Sequence, residues 1–416
     1  MEEDTALCKL LHVVCLFALM AGACQGRYQN PEDLMKEGRM LLASGNPGGA
    51  ILLMKKALDK DQNNYEARLT LAKAYSLAGK TDSAEKELQK LTRQRPNDRA
   101  IRVEMARLQV YKNRPAEALK TLQDIDSADG DSDIYEIRAV AYALKNDIPA
   151  ALAAFNKALE TGGPRTSVLV SLARVYAQVG RYDEAKVQIE RARTQDPTNR
   201  KILGVLVDIQ DALGDIDGAL RTCDAALKAA PDDISVLYRK GLLYQKQGHY
   251  QNCIALAEKI IALSPNRPEG HRLKGINLFH QKHTADALAS LQKTLALSPQ
   301  PSVSDYYYLA LVHFERNEAE QAAGKIQQAL DIMPSFGQGR ALLALILLKK
   351  NRNDDALNEA RKAVAQDEDN AFAYNVLGSV CLAKGLFDEG VGALSRAIAL
   401  DPSLVDAHIK KGLFLS

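Results

Sequence analysis

The chain has 416 residues, 54 Lys and Arg against 52 Asp and Glu, and a formal charge of +2. Its composition, 46% hydrophobic and 25% charged, excludes a disordered chain and a polytopic membrane protein, and the near-neutral balance argues against nucleic acid as the main partner, because neutralising phosphates takes a basic surplus. With 8 Phe and no Trp, the core must be built from Ala, Leu and Gly, which implies closely spaced helices.

The first element is an apolar run of 14 residues from Leu10 to Ala23, interrupted by His12. At ~1.5 Å rise per residue it is too short to cross a bilayer. It suits the core of a signal peptide, followed by the small residues Ala21, Gly22 and Ala23 and then by Cys24. This order resembles the lipobox of bacterial lipoproteins. The resemblance implies a signal peptide over 1–23, lipidation of Cys24, a tether over 24–30 and attachment to a membrane through the lipid. Two features depart from the family pattern: Ala21 stands where Leu is preferred, and Glu2, Glu3 and Asp4 precede the lone basic residue Lys9. An ordinary N-terminal helix is the alternative. Gln25 occupies the place where Asp would signal retention at the inner membrane, so the expected location is the periplasmic face of the outer membrane. An inner-membrane lipoprotein and a cytoplasmic protein are the alternatives. Beyond Cys24 only Cys223, Cys253 and Cys381 remain, with no C-x-x-C pair. No disulfide framework or zinc site is expected, and the three should pack as small buried thiols.

From Pro31 the sequence repeats with a period of 34, and residues 31–404 make eleven units. With Pro31 as position 1, position 20 is small throughout, from Ala50 and Ala84 to Cys253 and Gly390, and position 8 runs from Gly38 and Ala72 to Ala344 and Gly378, with Val207 the largest member. Small residues at both places let the two helices of a hairpin approach closely, with Leu169, Leu172, Tyr176 and Ile189 filling the layer around that contact in the fifth unit. Position 15 is Gly or Asn in ten of eleven units, where a first helix must stop in a left-handed conformation. The exception, Lys282, predicts a strained or reshaped turn. Seven of the 14 prolines fall at position 32 and end the second helix.

These units resemble tetratricopeptide repeats. The stretch TSVLVSLARVYAQVGRYDEAKVQIERARTQDPTN from Thr166 is a close match, with Leu169 where the family often carries Trp. The resemblance implies an all-α, right-handed superhelical solenoid of about eleven helix-turn-helix units whose first helices line a concave groove. Residues 405–416 begin a twelfth unit, which is either a short capping helix or part of a longer array. In the family, groove positions are roughly 2, 5, 9, 12 and 13. Position 9 begins with Arg39, Lys73, Arg107, Val140, Arg174 and Asp208 and continues as Leu242, Ile276, Leu311, Leu345 and Ser379, while Tyr238, Phe279, Tyr307 and Phe314 sit at positions 5 and 12. A groove with a basic stretch (Arg39, Lys73, Arg107, Arg174) followed by an exposed apolar one is therefore expected. Cations would attract an acidic partner, and an exposed apolar strip would mark an interaction site. Position 9 has no Asn, which disfavours the clamp that binds chaperone tails.

His249 and His283 both fall at position 16, with His280 close by, but no carboxylate-rich or Cys-rich shell accompanies them, so solvated turn histidines are expected rather than a metal site. There is no GxxxxGK[ST], HExxH, GxSxG or CxxC. No enzyme, cofactor, metal or small-molecule substrate is expected. The sequence is best read as a lipid-anchored, periplasm-facing scaffold that binds proteins or peptides in its groove. It resembles the repeat lipoproteins of exopolysaccharide export and of PEP-CTERM protein sorting. A soluble cytoplasmic adaptor and the regulatory array of a larger enzyme are the alternatives.

Overall fold

The computed structural model describes residues 30–123, 125 and 131–415. The leader, Cys24 and most of the tether lie outside the described residues. The chain divides into two compact units that meet in sequence between Pro197 and Thr198. The first holds α1 (Pro31–Ala43), α2 (Pro47–Lys60), α3 (Tyr65–Leu77), α4 (Thr81–Gln94), α5 (Arg99–Tyr111), α6 (Pro115–Thr121), α7 (Ser132–Leu144), α8 (Ile148–Gly162), α9 (Thr166–Gln178) and α10 (Tyr182–Gln195). The second holds α11 (Arg200–Ala212), α12 (Ile216–Ala229), α13 (Ile234–Lys246), α14 (Tyr250–Leu263), α15 (Pro268–His280), α16 (Thr284–Leu297), α17 (Val303–Glu315), α18 (Ala319–Ile332), α19 (Gly337–Lys349), α20 (Asn353–Gln366), α21 (Ala371–Lys384), α22 (Phe387–Leu400) and α23 (Val405–Leu415). No strand occurs among the described residues.

Odd-numbered helices are the first and even-numbered the second members of successive hairpins. Within each unit every helix packs on the next, and every first helix also touches the first helix of the following repeat, as α3 touches α5 and α15 touches α17. The first helices of each unit thus form a continuous wall. Asn64, Asp98, Asn199, Asp233 and Asn370 at position 34 each accept a hydrogen bond from a backbone N–H in the first turn of the next first helix and so satisfy donors a helix leaves unpaired at its start.

The turns obey one rule. In all eleven hairpins the N–H of position 16 donates to the carbonyl of position 11 and that of position 15 to the carbonyl of position 12, the double closure of a Schellman motif. Position 15 has positive φ in every case, from +56° at Asn113 to +78° at Gly45. Lys282 keeps the same pair of hydrogen bonds and a φ of +65°. The turn is therefore not reshaped, and the lysine carries the steric cost of the left-handed region. Its ammonium lies 3.6 Å from Glu315 and 5.8 Å over the Phe279 ring.

Positions 8 and 20 are buried in every repeat. A Cβ on Gly275 would lie 2.7 Å from Leu291 Cγ and 3.1 Å from the Leu291 backbone N, so α15 and α16 touch where the side chain is missing. Val207, the large member of its column, shares a core cluster with Cys223, which is small. Cys223, Cys253 and Cys381 are buried and free, and burial pushes each thiol up to about 11. The last helix, α23, buries Ala407 against Leu394 and Ala397 but leaves Val405, Ile409 and Leu413 exposed.

Polar ties hold neighbouring repeats in register. Position 14 repeatedly reaches position 18 of the preceding repeat: Lys112 to Asp82 at 2.7 Å, Gln247 to Asp217 at 3.2 Å, Lys350 to Glu320 at 2.7 Å, and Lys384 to Asp354. A deeper tie joins α15 to α17. Arg272 donates through Nε and Nη2 to the fully buried Asp305 carboxylate at 2.6 and 2.8 Å. The same carboxylate accepts from the Ser302 N–H and hydroxyl, both at 2.8 Å, closing a capping box. Burial alone would raise the Asp305 pKa, but Arg272 and Ser302 hold it below the usual carboxylate value.

Chemical denaturation of four variants should separate these contributions. Lys282→Gly should raise stability by about 1 kcal/mol, because glycine removes the left-handed penalty. Gly275→Ala should lower it by about 1–3 kcal/mol through overpacking, whereas Gly392→Ala, in an exposed helix position with nothing within 4 Å of the new Cβ, should add about 0.5–1 kcal/mol. Asp305→Asn should cost about 3 kcal/mol at neutral pH. The Asp305 pKa is depressed on folding, so its contribution is present above the unfolded value of about 3.9 and is lost as pH falls through the folded value. The variant should therefore lose less stability on acidification than the parent.

Candidate functional site

The wall of first helices carries the residues singled out by the repeat pattern. In the first unit three of the four position 9 cations are built into ion pairs. Arg39 meets Glu66 at 2.8 Å and Lys73 meets Glu104 at 3.4 Å. Arg107 lies 3.7 Å from Glu104 and 3.1 Å from Asp133. Arg165, from the end of the fourth repeat, continues the line to Asp133, to Ser132 at 2.8 Å and to Glu136 at 3.4 Å, and Ser167 donates to Glu136 at 3.0 Å. Burial holds the Glu136 pKa above its ordinary value, opposed by Ser167, Arg107 and Arg165. At Asp133 burial pulls in the same direction, but Arg165 and Arg107 outweigh it and lower the pKa. The line from Lys73 to Glu136 alternates in sign, so it is a paired seam rather than a row of free cations. Arg174 is exposed and makes no ion pair among the described residues. The carboxylates were legible as Glu66 and Asp133 at position 2 of the following repeat, a column the position 9 pattern does not report.

The apolar stretch of the second unit divides into two sets. Ile276, Phe279 and Tyr307 are only 6%, 8% and 8% exposed, which corrects the expectation that they line an open strip. Their size is the reason. Phe279 meets Tyr308 with ring centroids 6.1 Å apart, and Tyr307 meets Tyr308 at 5.6 Å and Phe336 at 5.3 Å. These rings fill the space between adjacent repeats that smaller residues would leave open. Leu242 is exposed at 37%, and Tyr238, Leu311, Phe314 and Leu345 are partly exposed, joined by Leu348 and Leu382. The Lys349 ammonium lies 4.8 Å over the Phe314 ring.

The larger exposed apolar side chains lie on the first helices of the first unit. Leu77, Tyr111 and Leu144, the last residues of α3, α5 and α7, are 56%, 59% and 45% exposed. All three occupy position 13. Reading that column as Ala43, Leu77, Tyr111, Leu144 would have found them. Among the histidines, His249 and His283 lie exposed at hairpin turns, and His280 stacks on Tyr250 at 5.1 Å with rings 9° apart. Burial and then Lys282 push the His280 pKa below its ordinary value. Among the described residues no group of His, Cys, Asp or Glu is placed to hold a metal ion. The surface offers shape, apolar area and fixed charge, which suits binding another protein.

Family models described as tetratricopeptide repeat match residues 41–102, 103–165, 178–243, 234–267 and 341–404. The cellulose synthase operon protein C of Pseudomonas fluorescens is 24% identical over 395 residues, covering 88% of this chain and 30% of that protein. An Hsp70-Hsp90 organizing protein of Arabidopsis thaliana is 20% identical over 204 residues, 48% of this chain and 35% of that one. The chain thus spans about a third of the length of these relatives. Among solved structures, a tetratricopeptide repeat protein from Parabacteroides merdae has a TM-score of 0.50 at 17% identity, covering 60% of this chain and 99% of that one. Helix hairpins of constant period, one turn geometry throughout and repeat matches along both units agree: the chain belongs to the tetratricopeptide repeat family and has the architecture of a protein-interaction scaffold.

Proposed function

We propose that this chain is a lipid-anchored scaffold on the periplasmic face of the outer membrane, gathering partner proteins on its wall of first helices in the service of exopolysaccharide export or of protein sorting. The observation that carries the binding role is the partly exposed apolar surface kept on that wall, from Leu242 through Leu311 and Phe314 to Leu345, since apolar area left in water marks a contact surface. Anchoring through Cys24 is supported by the short apolar run that precedes it. Among the described residues no helix is long and apolar enough to cross a membrane. The export role is supported by similarity to a cellulose synthase operon protein along most of this chain. No catalytic step is assigned to any residue.

Two measurements test this. A photo-crosslinking residue at Leu242 or Leu311 should trap discrete partner proteins, whereas one at Val187, more accessible than either but on a second helix, should not. Leu242→Glu and Leu311→Glu should abolish the same products in folded protein. Ile276→Glu is unsuitable, because a buried charge would unfold the repeat. Metabolic labelling with a fatty acid should mark the wild-type chain and not Cys24→Ala. Equal crosslinking at Val187 would remove the binding surface, and equal labelling of both chains would remove the anchor.

A further inference from the structure

The exposed apolar stripe of the first unit is chemically unlike the apolar surface of the second. Leu77, Tyr111 and Leu144 lie on three successive first helices that touch one another in sequence, so one apolar side chain recurs at each repeat, roughly 10 Å apart at ordinary helix packing distances. Basic residues flank the stripe on both sides. One turn earlier stand Lys73 and Arg107, with Val140 in that place before Leu144 and Arg174 in the repeat after the stripe; beyond the stripe stand Lys80, Arg114 and Lys145. Lys80, Lys145 and Arg174 make no ion pair among the described residues and are exposed. Arg114 is held by Glu85 at 3.2 Å, and the Arg107 pairs described above fix its guanidinium.

We infer that this stripe is the docking site for an acidic amphipathic helix of a partner protein, a statement that rests on the scaffold role proposed above and adds the partner's chemistry. An α-helix rises ~1.5 Å per residue, so apolar residues seven apart lie about 10 Å apart on one face and match the stripe rung for rung. A β-strand covers the same distance in three residues, but its third residue points to the opposite face. Glutamates beside each anchor meet the cations that lack partners, while the cations already paired define the register. A membrane fits less well. Asp82, Glu85, Glu117 and Asp147 share this edge with the cations; a helix can place its glutamates at Lys80 and Lys145 and keep them away from these carboxylates, whereas a continuous anionic surface cannot.

The test uses the full chain and a fluorescent synthetic helix with leucine at every seventh position and glutamate beside each leucine. A second peptide of the same composition with the leucines permuted serves as control. The designed peptide should bind saturably, at least ~10-fold tighter than the permuted one, and more weakly as salt rises. Tyr111→Ala should weaken binding ~10-fold or more, and Lys80→Glu with Lys145→Glu should weaken it further, while Val187→Ala leaves it unchanged. All four are exposed positions, and circular dichroism confirms folding. Equal binding of both peptides, no effect of Tyr111→Ala, or Tyr111-dependent binding to phosphatidylglycerol vesicles in place of the peptide would each overturn the inference. Crosslinks that persist at Leu242 and Leu311 while the designed peptide fails to bind would overturn this docking site and leave the scaffold role standing.

Discussion

The close approach of two helices at positions 8 and 20 is the contact on which the rest of the molecule depends. Cys253 at position 20 donates its thiol to the carbonyl of Gly241 at position 8 at 3.2 Å, and where Gly275 faces Leu291, at position 24, there is no space for one more carbon. At such separation the backbones set the angle of the hairpin, and the larger residues three or four positions away can only fill what remains. The turn at position 15 enforces the same geometry from the end. Its two hydrogen bonds and positive φ return the chain in one direction, whichever of Gly, Asn or Lys occupies the place. A hairpin fixed at both its waist and its turn presents the first helix at a constant orientation, and a wall of such helices follows.

Charge on that wall serves position more than attraction. The seam from Lys73 to Glu136 is neutral when summed, and its members lie on neighbouring repeats. Exposed pairs of this kind contribute little stability singly. What they do is hold long side chains in defined places between repeats, which lowers the ordering cost when a partner arrives. The free cations then stand out against a paired background, so specificity can come from a few groups rather than from net charge.

The periodic features were legible in the sequence because they answer to the backbone. A left-handed φ demands Gly or Asn at almost every turn, and close helices demand small residues, so both columns declare themselves without knowledge of the neighbours. Lys282 shows where such a rule yields: ten compliant repeats fix the architecture and the eleventh turn conforms at a local cost. The surface was less legible. Position 9 names a face of the helix, but whether Ile276 is open to a partner or covered depends on the size of the side chains in the adjoining repeat, and the Phe279, Tyr307, Tyr308 and Phe336 rings close that space. The pairing of Arg107 with Asp133 was hidden for a related reason, since it joins different columns of different repeats. Leu77, Tyr111 and Leu144 needed only a neighbouring column to be read beside the ninth.

A stack in which each repeat touches chiefly its neighbours loosens from its ends. In the second unit the ties between repeats are unequal. Those from position 14 to position 18 sit in solvent, whereas Asp305 binds Arg272 and Ser302 with no exposed surface. Loss of order entering from α23 would pass the solvent-exposed ties readily and stall at α17, where separating the helices breaks both hydrogen bonds of a buried ion pair at once. Tyr308 lies on that same helix, so its contact with the Phe279 ring stays assembled while the outer hairpins come and go.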